Sequence, residues 1–156
     1  MHDKELIDHP EGGRFKEVYR SRGSVTQGGR KRDALTHIYF SLKKHEVSRF
    51  HKVGSDEVWN LYEGRGLTLY LWDDETAGMK QVELSAEKRE YCCVVPAGLW
   101  QAAVPCDDIL AGCSVSPGFE FDDFELIDPK TETAQMILSR FPGLGRLIYP
   151  DPELSG

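Results

Sequence analysis

The stretch SRFHKVGSDEVWNLYEGRG, residues 48 to 66, decides how this chain is read. Two short runs rich in aromatic and β-branched residues flank VGSD, a cluster of turn formers, and GRG closes the second run. The pattern predicts two strands. His51 falls near the end of the first and Glu57 at the start of the second. A hairpin of that spacing brings an imidazole and a carboxylate onto one face. There they can hold a divalent metal, or work as a base and its orienting partner. The strand period of two adds neighbours: Trp59 and Leu61 share the face of Glu57, and Arg49 and Val53 that of His51. An apolar, aromatic wall with a few convergent polar groups is the usual makeup of a small-ligand cavity.

Similar runs surround this stretch. FKEVYRS, THIYFSL, LTLYLWD, QVEL, YCCVVP, QAAVP, ILAGCSV and FDDFELI are short, β-rich and bounded by Gly, Pro, Asp and Lys turns. Strands at such regular spacing argue an all-β barrel or sandwich over alternating strands and helices. LSAEK (84 to 88) is too short for a helix. TETAQMILSRFPG (131 to 143) is the best helical candidate, with Ala134, Ile137, Leu138 and Phe141 on one face and Pro142-Gly143 as its stop. A turn is expected over the opening HDKELIDH, and the Pro- and Gly-rich tail is expected to pack outside or fray.

The length, 156 residues, fits one domain with its core over about 14–128. No apolar run reaches the roughly 20 residues that span a bilayer, and MHDKELIDHP is too charged for a signal peptide. A cytoplasmic protein with no membrane partner is expected. The net charge of −7 works against nucleic acid, and GGRKRD (28 to 33) reads as a solvated loop. The four cysteines contain no C-x-x-C pair, so buried, reduced thiols are expected.

The second stretch of interest is VVPAGLWQAAV, residues 94 to 104. Pro96-Ala97-Gly98 makes a turn, after which Gln101 and Ala103 share one face of a new strand. These two stretches resemble the paired motifs of the cupin superfamily. His51 fits the first histidine of its first motif, Glu57 the glutamate and Gly64 the closing glycine. Pro96 and Gly98 fit the turn of the second motif. Val53 stands where a second histidine would be, and Gln101 where a third would be. His45 and Glu90 replace the leading glycines, and Pro105 the final asparagine. A closer resemblance runs from about residue 5 to 128, to the subfamily DUF985 (cupin_5). It is carried by HPEGGRFKEVYRS, THIYFSL, FHKVGSDEVWNLYEG, VVPAGLWQAA and SVSPGFEFDDFEL. The resemblance implies a double-stranded β-helix (jelly-roll barrel), often paired as a homodimer, and similarity to germin-like proteins and sugar-nucleotide epimerases. Fold alone supplies no reaction.

As metal ligands, His51, Glu57 and the amide oxygen of Gln101 make three at most. Such a set suits a loosely held iron, manganese, nickel or zinc. Without metal, His51 is the base and Glu57 its partner. The expected chemistry is isomerisation or epimerisation of a carbohydrate-like or keto-acid substrate by proton transfer. Gln101 would bond a substrate hydroxyl or carbonyl, and Arg49 or Arg20 would pair with an anionic group. Trp59 is the candidate stacking wall. Tyr39 is a further ligand contact, although both it and Trp59, with Tyr62, Trp72 and Trp100, also suit the core or a dimer interface. The rivals are a metal-dependent oxygenase and a non-catalytic module that binds a sugar or metabolite. His2, His9, His37 and His45 have weaker claims. EGGRFKEVYRS reads equally as a strand at the pocket mouth or as an edge strand. SPGFEFDDFELID reads as a half-buried strand or extended segment with a solvated acidic face.

Overall fold

In the computed structural model, which describes residues 5–150, the strands in chain order are β1 (Ile7–Asp8), β2 (Arg14–Arg20), β3 (Ser24–Gln27), β4 (Arg30–Asp33), β5 (Thr36–Leu42), β6 (Ser48–Val53), β7 (Asp56–Glu63), β8 (Gly66–Asp73), β9 (Gly78–Ser85), β10 (Cys92–Val95), β11 (Trp100–Pro105), β12 (Ile109–Ser116) and β13 (Phe124–Leu126). They form a six-stranded sheet in the order β1-β2-β5-β12-β7-β10 and a five-stranded sheet in the order β13-β6-β11-β8-β9. Neighbours run antiparallel, as the jelly-roll expectation requires. The first half of the decisive stretch lies in one sheet and the second half in the other. Gly54-Ser55 therefore crosses the barrel, where a hairpin was expected.

Alternation explains the layers. Phe40, Trp59, Leu61, Leu69 and Leu71 point inward and fill the space between the sheets. Phe50, Trp72, Trp100 and Ala102 point to the other side of the five-stranded sheet. There they are covered by the helix α1 (Glu132–Arg140) and a following 3₁₀ turn, Pro142–Leu147. Ala134 and Ile137 are fully buried against this face, together with Leu147 and Ile148. The tail up to residue 150 thus packs on the barrel, and its last residues lie outside the described range.

The helix starts at Thr131, whose hydroxyl oxygen accepts a bond from the Ala134 amide at 3.3 Å. Losing such a cap typically costs about 1 kcal/mol. Thr131→Ala is expected to lower stability by about that amount, read by urea unfolding, and an unchanged midpoint would mean that the cap contributes nothing.

Several local expectations give way. GGRKRD is half of a hairpin, β3–β4, which forms a two-stranded sheet of its own. Gly28 and Gly29 take φ of +57° and +77° at its tip, the geometry of a tight two-residue turn. Its Arg32 is buried, only 4% exposed. SPGFEFDDFELID is not one strand. It runs as irregular backbone into a 3₁₀ turn, Phe121–Asp123, and only then into β13. Ile7–Asp8 of the opening segment is a short strand where a turn was expected, and residues 1–4 lie outside the description. Of the cysteines only Cys113 is buried, Cys92 and Cys106 are exposed, and all four are free. No helix among the described residues is long and apolar enough to cross a membrane.

Candidate functional site

His51 and Glu57 face each other across the barrel interior because their strands belong to opposite sheets. Two bonds fix the crossing. The Gly98 amide donates to Val53 O at 3.0 Å, and the Ala97 amide to Asp56 Oδ1 at 2.9 Å. The Pro96-Gly98 turn is thereby tied to the crossing. Both side chains line a narrow cavity, with Val53, Val115, Thr36 and Ile38 on the barrel walls. Phe15, Phe119 and Phe124 extend the apolar wall.

Two further polar groups line this cavity, His9 and Glu11. Their backbone forms a tight turn in which the Gly12 amide bonds His9 O and the His9 amide bonds Gly13 O, both at 3.0 Å. The Arg49 amide donates to Glu11 O at 2.7 Å, docking the turn on β6. Glu11 then bridges the two imidazoles. Its Oε1 lies 3.2 Å from His9 Nδ1 and its Oε2 3.1 Å from His51 Nδ1. Ser48 Oγ also donates to Oε2. His9 had only a weak claim from sequence, and Glu11 had none.

The tautomers follow from fixed partners. Arg49 O can only accept, so His51 Nδ1, 2.8 Å away, carries the hydrogen and Nε2 keeps the lone pair. The Glu11 amide can only donate, so His9 Nδ1, 3.3 Å away, is the unprotonated nitrogen. Burial pushes the Glu11 carboxyl up to about 8, partly opposed by the Ser48 bond. Burial also raises Glu57 to about 7. The nearby His51 opposes that rise, Glu11 adds to it, and bonds to Gln101 and Cys113 lower it. Burial, with His51 beside it, lowers His9 to about 3. His51 is lowered by burial against the pull of Glu57 and Arg49 O. The close His–Glu contacts are therefore hydrogen bonds between neutral groups, not ion pairs. Taking charges out of water costs more than their attraction returns.

This proton inventory makes stability depend on pH. The two raised carboxyls contribute fully below their ordinary value of 4.5 and lose that contribution as pH rises through about 7 and 8. His9 runs the other way, contributing above 6.5 and losing the contribution as pH falls towards 3. Above about pH 6.5 only the carboxyl loss remains, so the melting temperature is expected to fall towards pH 8.5. Glu11→Gln, of nearly the same shape, is expected to flatten that fall. Thermal scans from pH 6 to 9 check this, and an equally steep fall in the variant would contradict it.

The remaining sequence candidates are placed elsewhere. Gln101 lies beneath the cavity floor. The Trp59 indole only donates, so the Gln101 atom 2.7 Å from it is Oε1. Its Nε2 is thereby turned to Glu57 Oε1 at 3.0 Å. Trp59 is a buried core residue packed edge-on to Phe40. It holds Gln101 and is not a stacking wall. The Arg49 guanidinium reaches Pro10 O at the surface. Arg20 pairs with Glu17 and Asp33 outside the barrel. Tyr39 points to the outer face of its sheet and packs on Tyr62 and His37. That His37 ring sits between Ser114 Oγ and Tyr62 Oη, at 2.7 and 2.9 Å. The inward alternation of β5 gives Thr36 and Ile38 to the cavity instead.

Of the three metal ligands expected from sequence, His51 and Glu57 line the cavity and Gln101 does not. Val53 offers no ligand, and the amide oxygen of Gln101 is engaged by Trp59. Among the described residues no three His, Cys, Asp or Glu side chains converge as ligands.

The outlying hairpin also serves the site. Arg32 donates to Gly118 O at 2.5 Å and pairs with Asp123, while Arg30 pairs with Glu120. These contacts grip the segment that carries Phe119 and Phe124 over the cavity. Of the acids of that segment, Glu120 and Asp123 are therefore partners of Arg30 and Arg32, while Asp122 and Glu125 stay exposed as expected.

Comparison with known proteins agrees with this architecture. Residues 1–127 match the family described as Cupin superfamily (DUF985). The solved structure of protein SO0799 from Shewanella oneidensis superposes with a TM-score of 0.77 at 33% identity, covering 96% of this chain and 94% of that one. A Saccharomyces cerevisiae protein, YML079W, is 27% identical over 156 residues, 88% of this chain and 78% of its own. Bacillus subtilis oxalate decarboxylase, described for its Mn(II) centres, matches with a TM-score of 0.61 at 14% identity, covering 94% of this chain and 38% of that one. At that identity the likeness shows the fold alone. With its two facing antiparallel sheets and its match across both motifs, the chain belongs to the cupin superfamily, in the family DUF985.

Proposed function

We propose that the cavity enolises a small, uncharged carbonyl compound by proton transfer, as the first half of an isomerisation or epimerisation. One observation carries the reading: His51 Nε2 and the Glu57 carboxyl, one with a free lone pair and one able to hold a proton near neutrality, line the same apolar cavity. His51 would take the proton from carbon, and Glu57 would donate to the carbonyl oxygen as charge develops there. Such a pair works best with values near the operating pH. The Phe15, Phe119 and Phe124 walls exclude water from the developing enolate.

The lining contains no lysine or arginine. An anionic group would be buried there without a partner, which is costly, so phosphorylated or nucleotide-linked sugars and keto acids fit poorly. A neutral hydroxy-ketone or hydroxy-aldehyde fits better. The oxalate decarboxylase neighbour is described with Mn(II) centres; the present reading uses no metal.

The test is deuterium wash-in from D₂O, followed by proton NMR over a panel of small neutral carbonyl compounds. Exchange at the carbon beside the carbonyl is expected for at least one. Saturable binding with no exchange in any would replace this reading with a non-catalytic binding module. Metal analysis of protein purified without chelator runs beside it, and stoichiometric metal lost in His51→Ala would overturn the metal-free assignment.

A further inference from the structure

We propose that His9, Glu11 and His51 form a proton relay, in which the Glu11 carboxyl joins the two imidazoles and lets a proton taken at one be returned at the other. The inference rests on the enolisation reading for its substrate, and for its existence on geometry together with the protonated Glu11 carboxyl that burial favours.

The three groups are connected nitrogen to oxygen with no gap, at 3.1 Å from His51 Nδ1 to Oε2 and at 3.2 Å from Oε1 to His9 Nδ1. Both rings line the same cavity. The backbone fixes the resting direction of every hydrogen. Arg49 O keeps the hydrogen on His51 Nδ1, which faces the lone pairs of Oε2. The Glu11 amide keeps His9 Nδ1 unprotonated, so it can accept the Glu11 proton from Oε1. His9 therefore holds its own hydrogen on Nε2.

One pass is balanced. The substrate C–H bond breaks, its proton goes to His51 Nε2 and its electron pair stays as the enolate. His51 passes its Nδ1 hydrogen to Glu11 Oε2, Glu11 passes its Oε1 hydrogen to His9 Nδ1, and His9 gives its Nε2 hydrogen to a second position of the substrate. The proton taken from carbon is carried as one positive charge opposite the enolate until His9 gives up its Nε2 hydrogen, and the completed pass leaves the relay neutral. Afterwards a bare His51 Nδ1 faces Arg49 O, and the starting arrangement returns when His51 gives its Nε2 proton to solvent water, water gives one to His9 Nε2, and the two relay hydrogens step back. Glu57 serves the carbonyl oxygen meanwhile. The second position is what converts simple exchange into isomerisation.

The first readout needs no substrate. In ¹⁵N-labelled protein the relay requires the Nδ1–H tautomer for His51 and the Nε2–H tautomer for His9. It also requires a Glu11 carboxyl still protonated at pH 6 by its ¹³C shift. His9 found as Nδ1–H, or Glu11 found ionised, would overturn it. The second readout splits two rates for any compound that shows wash-in. In Glu11→Gln, whose amide keeps the contacts but cannot pass a proton, isomer formation is expected to fall at least about a hundredfold more than wash-in does. Equal loss of both rates would make Glu11 merely structural and sink the relay. Absence of wash-in from wild type would instead count against the enolisation reading and leave the tautomers to decide the relay.

Discussion

His51→Ala is expected to slow deuterium wash-in by about 10²–10⁴, the usual worth of a positioned general base, with the barrel still folded. His51 is 2% exposed, but its ring is held by Arg49 O, Glu11 and a stacking contact with Phe124 at 5.5 Å. The hydrophobic cores lie on either side of it, so a smaller side chain should cost little of the fold. The pH profile separates its role from that of Glu57. Glu57 must be protonated to act as acid, so the wild-type rate should fall above about pH 7. His51 must be neutral, and its value is lowered from 6.5, so the acid limb should lie below that. Glu57→Gln should lose the alkaline limb and keep the acid one. A profile unchanged in Glu57→Gln would remove Glu57 from the chemistry.

Gly12→Ala is expected to be the most damaging single methyl in the chain. Gly12 has φ of +118°, and a Cβ there would lie 2.0 Å from Val47 O. The conformation alone costs roughly 1–3 kcal/mol for a side chain, and the overlap with backbone adds to it because neither partner is a flexible side chain. A fall in melting temperature on the order of 10 °C is expected. The turn cannot shift without carrying His9 and Glu11 away from His51. The imidazole NMR signals of both histidines should move with it. Wild-type stability with unmoved signals would show that the turn relaxes elsewhere, and that its glycines do not position the site.

Much of this was legible in the chain. His51, Val53 and Glu57 could be put on the cavity because a strand's faces alternate and VGSD marks where one strand ends. What local pattern could not show is that Gly54-Ser55 passes between sheets. A hairpin and a crossing have the same turn residues, and only long-range pairing, Gln101 with His51 and Val115 with Glu57, tells them apart. Trp59 was placed on the correct face but at the wrong depth, since periodicity gives direction and not distance from the mouth. Glu11 was missed because its convergence with His51 is tertiary. The signal that could have found it was an acid followed by two glycines, a backbone geometry otherwise hard to justify. The hairpin at GGRKRD was missed because dense charge was taken for exposure, although Gly28-Gly29 between two polar runs is a hairpin signature in its own right.

Strand β6 shows its Phe50 to the helical layer and its His51 to the cavity. Chemistry and architecture are thus written on alternate letters of one short word. A single inserted or deleted residue there would send the imidazole into the hydrophobic layer and the phenyl ring into the reaction cavity, undoing both at once. Descendants of this protein cannot vary the spacing within this strand, and length changes should be confined to the outlying hairpin and the turns.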